Sequence, residues 1–256
     1  MTRTLCIITP MYNEQGNVWR CVRAVQDDAA RSLLGQGWDV VHAIVDDGST
    51  DGTTGVLDRL KDDVRAGGWN LRVFHHATNY GANIAVWTAL ENVDADAYVL
   101  HLPADLQDPP GVIPEMMKVF DGGKFLAVYG QRKGREGVES KAMVLARDLY
   151  YRIITLFSGG PVIPHAGTFV VVDRGVVNDM RAWHAYHPCV FPYLSTFILR
   201  LIKDSMWAVP FEWQPRRVGK SHYSVWKLIG ETLKAIRWCR DWPLPMTRRD
   251  VVAWEV

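Results

Sequence analysis

The turn after the first apolar run, residues 9–16, lacks Gly-x-Gly-x-x-Gly, which argues against a dinucleotide cofactor. There is no Gly-x-x-x-x-Gly-Lys-Ser/Thr, so this is not a P-loop enzyme. There is no Gly-x-Ser-x-Gly elbow to carry a hydrolase nucleophile. Cysteine is scarce: Cys6, Cys21, Cys189 and Cys239 are scattered and form no Cys-x-x-Cys pair. That spacing argues against a zinc site and fits reduced thiols in the cytosol. No apolar run reaches the roughly eighteen residues a membrane span needs. The nearest candidate, 190–202, is short and carries Arg200. Charge is balanced, with 29 Lys and Arg against 28 Asp and Glu, so no nucleic acid partner is implied. Met1 to Thr4 lead directly into the strand-like Leu5-Cys6-Ile7-Ile8, and no signal peptide is expected.

What is present suits one large α/β domain with a sizeable core; the chain has 256 residues. Strand-like runs at 5–9, 40–45, 71–74 and 98–102 alternate with helical spacing at 17–34, 53–64 and 82–90. This alternation predicts a mainly parallel sheet with helices on both faces. A helix is expected at 112–120, a strand at 125–129, a glycine-bearing flap at 130–140, a helix at 141–158 and a strand at 168–172. Parallel sheets bind ligands at the carboxyl ends of their strands. Three polar clusters fall at such ends: Thr9 to Glu14, Asp46 to Ser49, and Asp105 to Gln107. Together they predict one cleft on one rim.

In Pro103-Ala104-Asp105-Leu106-Gln107-Asp108-Pro109-Pro110, Asp105 and Gln107 are two apart. In extended backbone both would leave the same face. Hard cations such as Mg²⁺ or Mn²⁺ take oxygen ligands of this kind. Alone, the segment also reads as a polar turn closed by prolines. In Asp46-Asp47-Gly48-Ser49-Thr50-Asp51, Thr50 or Asp51 suits a helix N-cap. Capping does not require the two adjacent acids. Asp47 is assigned to a base contact and Asp46 to its support. His75-His76 and the pair His184 and His187 read as solvated or core-satisfied imidazoles rather than metal sites. The last fifty residues crowd Trp207, Trp213, Trp226, Trp238, Trp242 and Trp254 among many bases. Val225, Leu228, Ile229, Leu233 and Ile236 share one helical face there. Such a helix either covers the core or lies on an anionic membrane.

Pro10-Met11-Tyr12-Asn13-Glu14, Val45-Asp46-Asp47-Gly48-Ser49-Thr50-Asp51, Asn79-Tyr80-Gly81 and Ala104-Asp105-Leu106-Gln107-Asp108-Pro109-Pro110 occur in this order. Gly130-Gln131-Arg132, Glu139-Ser140-Lys141 and Arg216-Arg217-Val218-Gly219-Lys220-Ser221 follow. The ordered set spans nearly the whole chain and resembles the family 2 glycosyltransferases of the GT-A fold. Within them it is most similar to the polyprenyl-phosphate group, the dolichyl-phosphate mannose synthase-like enzymes. The resemblance implies a GT-A domain over 1–215, with 216–256 as a basic, tryptophan-rich helical segment at the core or a membrane surface. It implies inverting transfer from a UDP- or GDP-sugar, with Mg²⁺ or Mn²⁺. Pro10, Tyr12, Glu14, Asp46, Asp47, Asn79 and Ala104 would hold the donor. Asp105 and Gln107 would face the metal and diphosphate. Arg132, Lys141, Arg216 and Ser221 would meet phosphates, and Asp105, Arg132 and Arg216 would carry the catalysis.

Two departures shape the reading. Pro103 replaces the first acid of the family's Asp-x-Asp, leaving Asp105. Thr168, in Gly167-Thr168-Phe169-Val170-Val171, replaces the acid of Gly-Asp-Phe-Arg-Leu. A sugar hydroxyl acceptor needs a general base. A lipid phosphate, with a second pKa of about 6, arrives largely ionised. The expected acceptor is therefore a polyprenyl phosphate at the cytoplasmic membrane face, reached through the basic tail or a partner. A soluble glycan, small-molecule or protein acceptor, and a noncatalytic nucleotide-sugar-binding protein, are the competing readings. Asp108 stands in reserve as a base or a helix cap.

Overall fold

The computed structural model describes residues 2–66, 69–133, 167–186 and 205–212, with isolated positions between 145 and 163 and between 214 and 237. Among these, the strands are β1 (Arg3–Met11), β2 (Trp38–Asp46), β3 (Asn70–His75), β4 (Ala97–Val99), β5 (Ala127–Lys133), β6 (Val170–Asp173) and β7 (Met206–Glu212). The main helices are α1 (Val18–Ala24), α2 (Arg31–Leu34), α3 (Thr53–Ala66), α4 (Ala82–Asn92), α5 (Ile113–Asp121) and α6 (Arg174–Tyr186). A π-helical stretch, Val25–Ala30, joins α1 to α2, so the expected single helix over 17–34 changes pitch midway.

The seven strands form one sheet in the order β3-β2-β1-β4-β6-β5-β7. β6 runs antiparallel to β4 and β5; the other pairings are parallel. The period of two in β1 divides the core. Leu5 and Ile7 join Val25, Leu33, Ile113 and Met116 on one face. Cys6 and Ile8 join Val86, Trp87, Leu90 and Met180 on the other. Burying each such aliphatic side chain contributes about 1.5–3 kcal/mol, which makes the sheet a firm support for its loops.

Two expectations need correction. β4 is shorter than read from sequence. The strand ends at Val99, although the chain beyond it still bonds to both neighbouring strands, Leu100 N–H to Val170 O at 3.0 Å and Leu102 N–H to Ile8 O at 2.8 Å. Residues 130–133 are strand, not flap: β5 pairs through Lys133 with β7. Gly130 is there for packing rather than freedom, since a Cβ would lie 2.4 Å from the Phe169 ring. Residues 134–140 of the expected flap lie outside the described residues. α6 and β7 carry no expectation from the sequence. β7 holds Pro210, which a sheet tolerates at an edge, and β7 is an edge. Trp207 thus sits in this strand, 5.3 Å from the Phe125 ring. Of the expected helix at 141–158, and of the tail at 216–256, only isolated positions are described.

Candidate active site

Parallel register brings the first two motifs together. Pro10 lies opposite Val45, and Met11 opposite Asp46. Beyond β1 the chain turns at Asn13, whose φ of 55° is left-handed, a conformation asparagine tolerates better than most residues. Asn13 Oδ1 accepts from Thr50 N–H at 2.8 Å, and Asn13 N–H donates to Ser49 Oγ at 3.0 Å. Glu14 N–H donates to Thr53 Oγ1 at 2.9 Å. The β1 turn and the start of α3 are thereby laced into one wall. Tyr12 and Asn79 are exposed on this rim; Glu14 is half-buried and accepts from Asn17 Nδ2 at 2.5 Å. Asp51 Oδ1 accepts from Thr53 N–H at 2.9 Å, in keeping with a role at the start of α3.

Both acids at the end of β2 are buried. Asp46 accepts from Ser49 N–H at 3.1 Å, Thr54 Oγ1 at 2.5 Å and His75 Nδ1 at 3.2 Å. Burial by itself would raise its pKa, but the bonds from Ser49, Thr54 and His75 together outweigh that and hold the carboxyl below its ordinary value. Asp47 Oδ1 accepts from Tyr80 N–H at 2.9 Å and His76 Nδ1 at 2.8 Å, and Oδ2 from Gly81 N–H at 2.7 Å. This carboxylate therefore faces the 76–81 segment. Gly48, at φ +68°, passes so close to that segment that a Cβ would lie 2.3 Å from the Thr78 carbonyl carbon. No other residue fits there.

The third motif departs from the extended backbone assumed for it. Leu106 has φ 60°, and Gln107 N–H donates back to Asp105 Oδ1 at 3.1 Å, closing a turn around the aspartate. A same-face argument based on strand geometry therefore does not hold for Asp105 and Gln107; it is the turn that places them. Ala104 is buried against Met11 and Val18, beneath the rim. Asp108 neither caps a helix nor stands open as a base. It is fully buried, and Arg132 grips it with Nε at 2.6 Å and Nη2 at 2.5 Å. Arg132 reaches it because β5 runs on past Gly130. Beside this pair, His101 Nδ1 meets Thr168 Oγ1 at 2.7 Å. Burial, aided by the nearby Arg132 and opposed by Asp108, lowers the His101 pKa to about 4, so the imidazole is neutral near pH 7. Gln214 N–H donates to Gln107 O at 3.2 Å, so the chain two residues ahead of Arg216 meets the Asp105 turn. Lys141, Arg216 and Ser221 themselves lie outside the described residues.

Asp105 and Gln107 offer one carboxylate and one amide at a half-buried turn. That hard-oxygen set fits a divalent cation which draws its other ligands from a diphosphate and water. Among the described residues no group of three or more His, Cys, Asp and Glu could hold a metal, and no helix is long and apolar enough to cross a membrane. His75 and His76 pair with Asp46 and Asp47. Reading by sequence missed Asn13 as a structural pivot, the Asp108–Arg132 pair and the His101–Thr168 pair. Only Asn13 left a local signal, as an asparagine directly after a strand.

A mixed sheet whose motif-bearing loops all leave one rim defines a GT-A glycosyltransferase domain. The match to the model "Glycosyl transferase family 2" spans residues 6–181, and the chain belongs to that family. An uncharacterized glycosyltransferase of Synechocystis sp. is 27% identical over 92% of this chain and 69% of its own length. The undecaprenyl-phosphate 4-deoxy-4-formamido-L-arabinose transferase of Klebsiella pneumoniae subsp. pneumoniae is 24% identical over 89% of this chain and 64% of its own. The chain thus spans about two thirds of the length of these relatives. Among solved structures, a mannosyltransferase from Pyrobaculum calidifontis in complex with GDP-Man and Mn²⁺ superposes with a TM-score of 0.60. It is 18% identical and is matched over 93% of this chain and 65% of its own.

Proposed function

We propose that this glycosyltransferase moves a sugar, with inversion, from a UDP- or GDP-linked donor to a polyprenyl phosphate. The observation that carries the acceptor assignment is that, among the described residues, the two side chains near Thr168 that could replace the missing acid are both engaged. Asp108 is held by Arg132, and His101 is held by Thr168. A hydroxyl acceptor would lack a ready base, whereas a phosphate monoester arrives already ionised. Similarity to the undecaprenyl-phosphate 4-deoxy-4-formamido-L-arabinose transferases supports the same acceptor class.

In this reading Pro10, Tyr12, Glu14, Asp46, Asp47, Asn79 and Ala104 build the nucleoside wall. Asp105 and Gln107 hold Mg²⁺ or Mn²⁺ at the donor diphosphate; when bound, the cation neutralises charge on the departing group. Arg132 and Arg216, with Lys141 and Ser221, orient the phosphates. An acceptor phosphate oxygen bonds to the anomeric carbon as the bond to the donor's β-phosphate oxygen breaks. The electron pair leaves with the nucleoside diphosphate. The domain is assigned to 1–215, and the basic 216–256 segment meets the cytoplasmic membrane surface.

The test uses radiolabelled UDP- and GDP-sugars, Mn²⁺ and polyprenyl phosphate in detergent micelles. Label should move into the organic extract. Label confined to the aqueous phase overturns the acceptor, and no release of nucleoside diphosphate overturns the enzyme reading. Asp105→Ala should lower turnover by about 100-fold with the cooperative fold retained, at a stability cost of only about 1 kcal/mol for the lost bond to Gln107 N–H. Unaltered turnover would remove Asp105 from the reaction.

A further inference from the structure

His76 has no role in the function proposed above, yet both of its ring nitrogens are engaged behind the donor wall. Its Nδ1 meets Asp47 Oδ1 at 2.8 Å, and its Nε2 meets Thr88 Oγ1 at 2.8 Å. Thr88 sits on α4 and is itself anchored to Ile84 O at 3.2 Å. The His76 ring also packs edge-on against Tyr80, with centroids 5.4 Å apart. The other Asp47 contacts are the backbone N–H groups of Tyr80 and Gly81. Gly81 O then accepts from Ile84 N–H and Ala85 N–H at the start of α4. One imidazole therefore ties the end of β2, the 79–81 turn and α4 into a single unit. Tyr80 remains 54% exposed, so what this unit presents outward is the turn itself.

We propose that His76 is a positioning residue for the donor nucleotide: it fixes the Asp47 carboxylate, and through it the 79–81 turn, in the geometry that receives the nucleoside. The inference rests on the donor-site reading above. A carboxylate held by a directional N–H cannot rotate toward solvent, so its two oxygens stay aimed at Tyr80 and Gly81. Without that bond, the turn must be ordered by the donor itself. That ordering weakens donor binding and leaves the chemical step unchanged.

Two variants separate the bond from mere bulk. His76→Leu removes the donor atom; His76→Asn keeps an amide N–H where Nδ1 stands. For His76→Leu the donor KM should rise about tenfold with kcat within about twofold, the size expected for one hydrogen bond to a charged group. His76→Asn should restore most of that loss. Hydrogen exchange at the Tyr80 and Gly81 amides, followed without substrate, should quicken in His76→Leu and stay slow in His76→Asn. Unchanged KM and exchange in His76→Leu overturn the proposal, as does a loss in kcat alone. If the parent protein turns over no nucleotide-sugar, the donor-site reading fails instead, and amide exchange still decides whether His76 holds the turn.

Discussion

The two halves of the rim are held by different physics. On the β1–β2–β3 side, Asp46 and Asp47 each take three hydrogen bonds from neighbouring segments. On the β4–β5–β6 side, one bidentate ion pair, Asp108–Arg132, and one His101–Thr168 contact do the equivalent work. Redundant hydrogen bonds share a loss, because each acceptor keeps other partners. A buried ion pair cannot, because removing one member strands the other charge. In stability, the β1–β2–β3 half is thus built to tolerate the loss of one bond, and the β4–β5–β6 half is exacting.

The sharpest way to break this contrast is Arg132→Ala. It leaves the Asp108 carboxylate buried and alone, and stability should fall by about 3–5 kcal/mol in denaturant titration. A change below about 1 kcal/mol would show that the pair is not the keystone of its half. Next comes pH. His42, buried in β2 against Thr9 Oγ1 at 2.9 Å, has its pKa lowered by burial to about 3, and that of His101 falls to about 4. Both are lowered from an ordinary value of 6.5, so the folded state binds fewer protons than the unfolded. Their contribution is complete above pH 6.5 and is lost on acidification from 6.5 toward 4. Each should remove about 1.4 kcal/mol per pH unit across the lower part of that window. His101→Gln should flatten the slope by one group's share; an unaltered slope would deny His101 its burial. The smallest effect is expected from Thr54→Val. It deletes one of the bonds to Asp46 and should cost about 1 kcal/mol, since Ser49 and His75 remain. A loss as large as that of Arg132→Ala would erase the distinction between the halves.

Much of the β1–β2–β3 side is legible from the chain alone. The helix–strand alternation through Asn92 follows from periodicity, and the β1 and β2 motifs meet because parallel strands deliver their ends to the same edge. Asp105 is legible as a polar turn residue, but its geometry is not: the positive φ at Leu106 reverses the extended backbone that spacing suggested. Gly130 misleads for a related reason. A glycine among charged residues looks like a hinge, whereas here it makes room for the Phe169 ring across the sheet. Pro210 hides β7, because a proline is excluded from sheet centres and the sequence does not reveal which strand will be an edge.

By itself the sequence determined the α/β class, the family and the gathering of three polar motifs on one rim, since each depends on local periodicity and on order along the chain. Tertiary structure alone decided where the carboxylates point. Asp47 faces the 76–81 segment, and Asp108 finds an arginine 24 residues away. A buried acid takes whatever donor the packed sheet brings within reach, and that proximity is written in the fold rather than in the neighbouring residues.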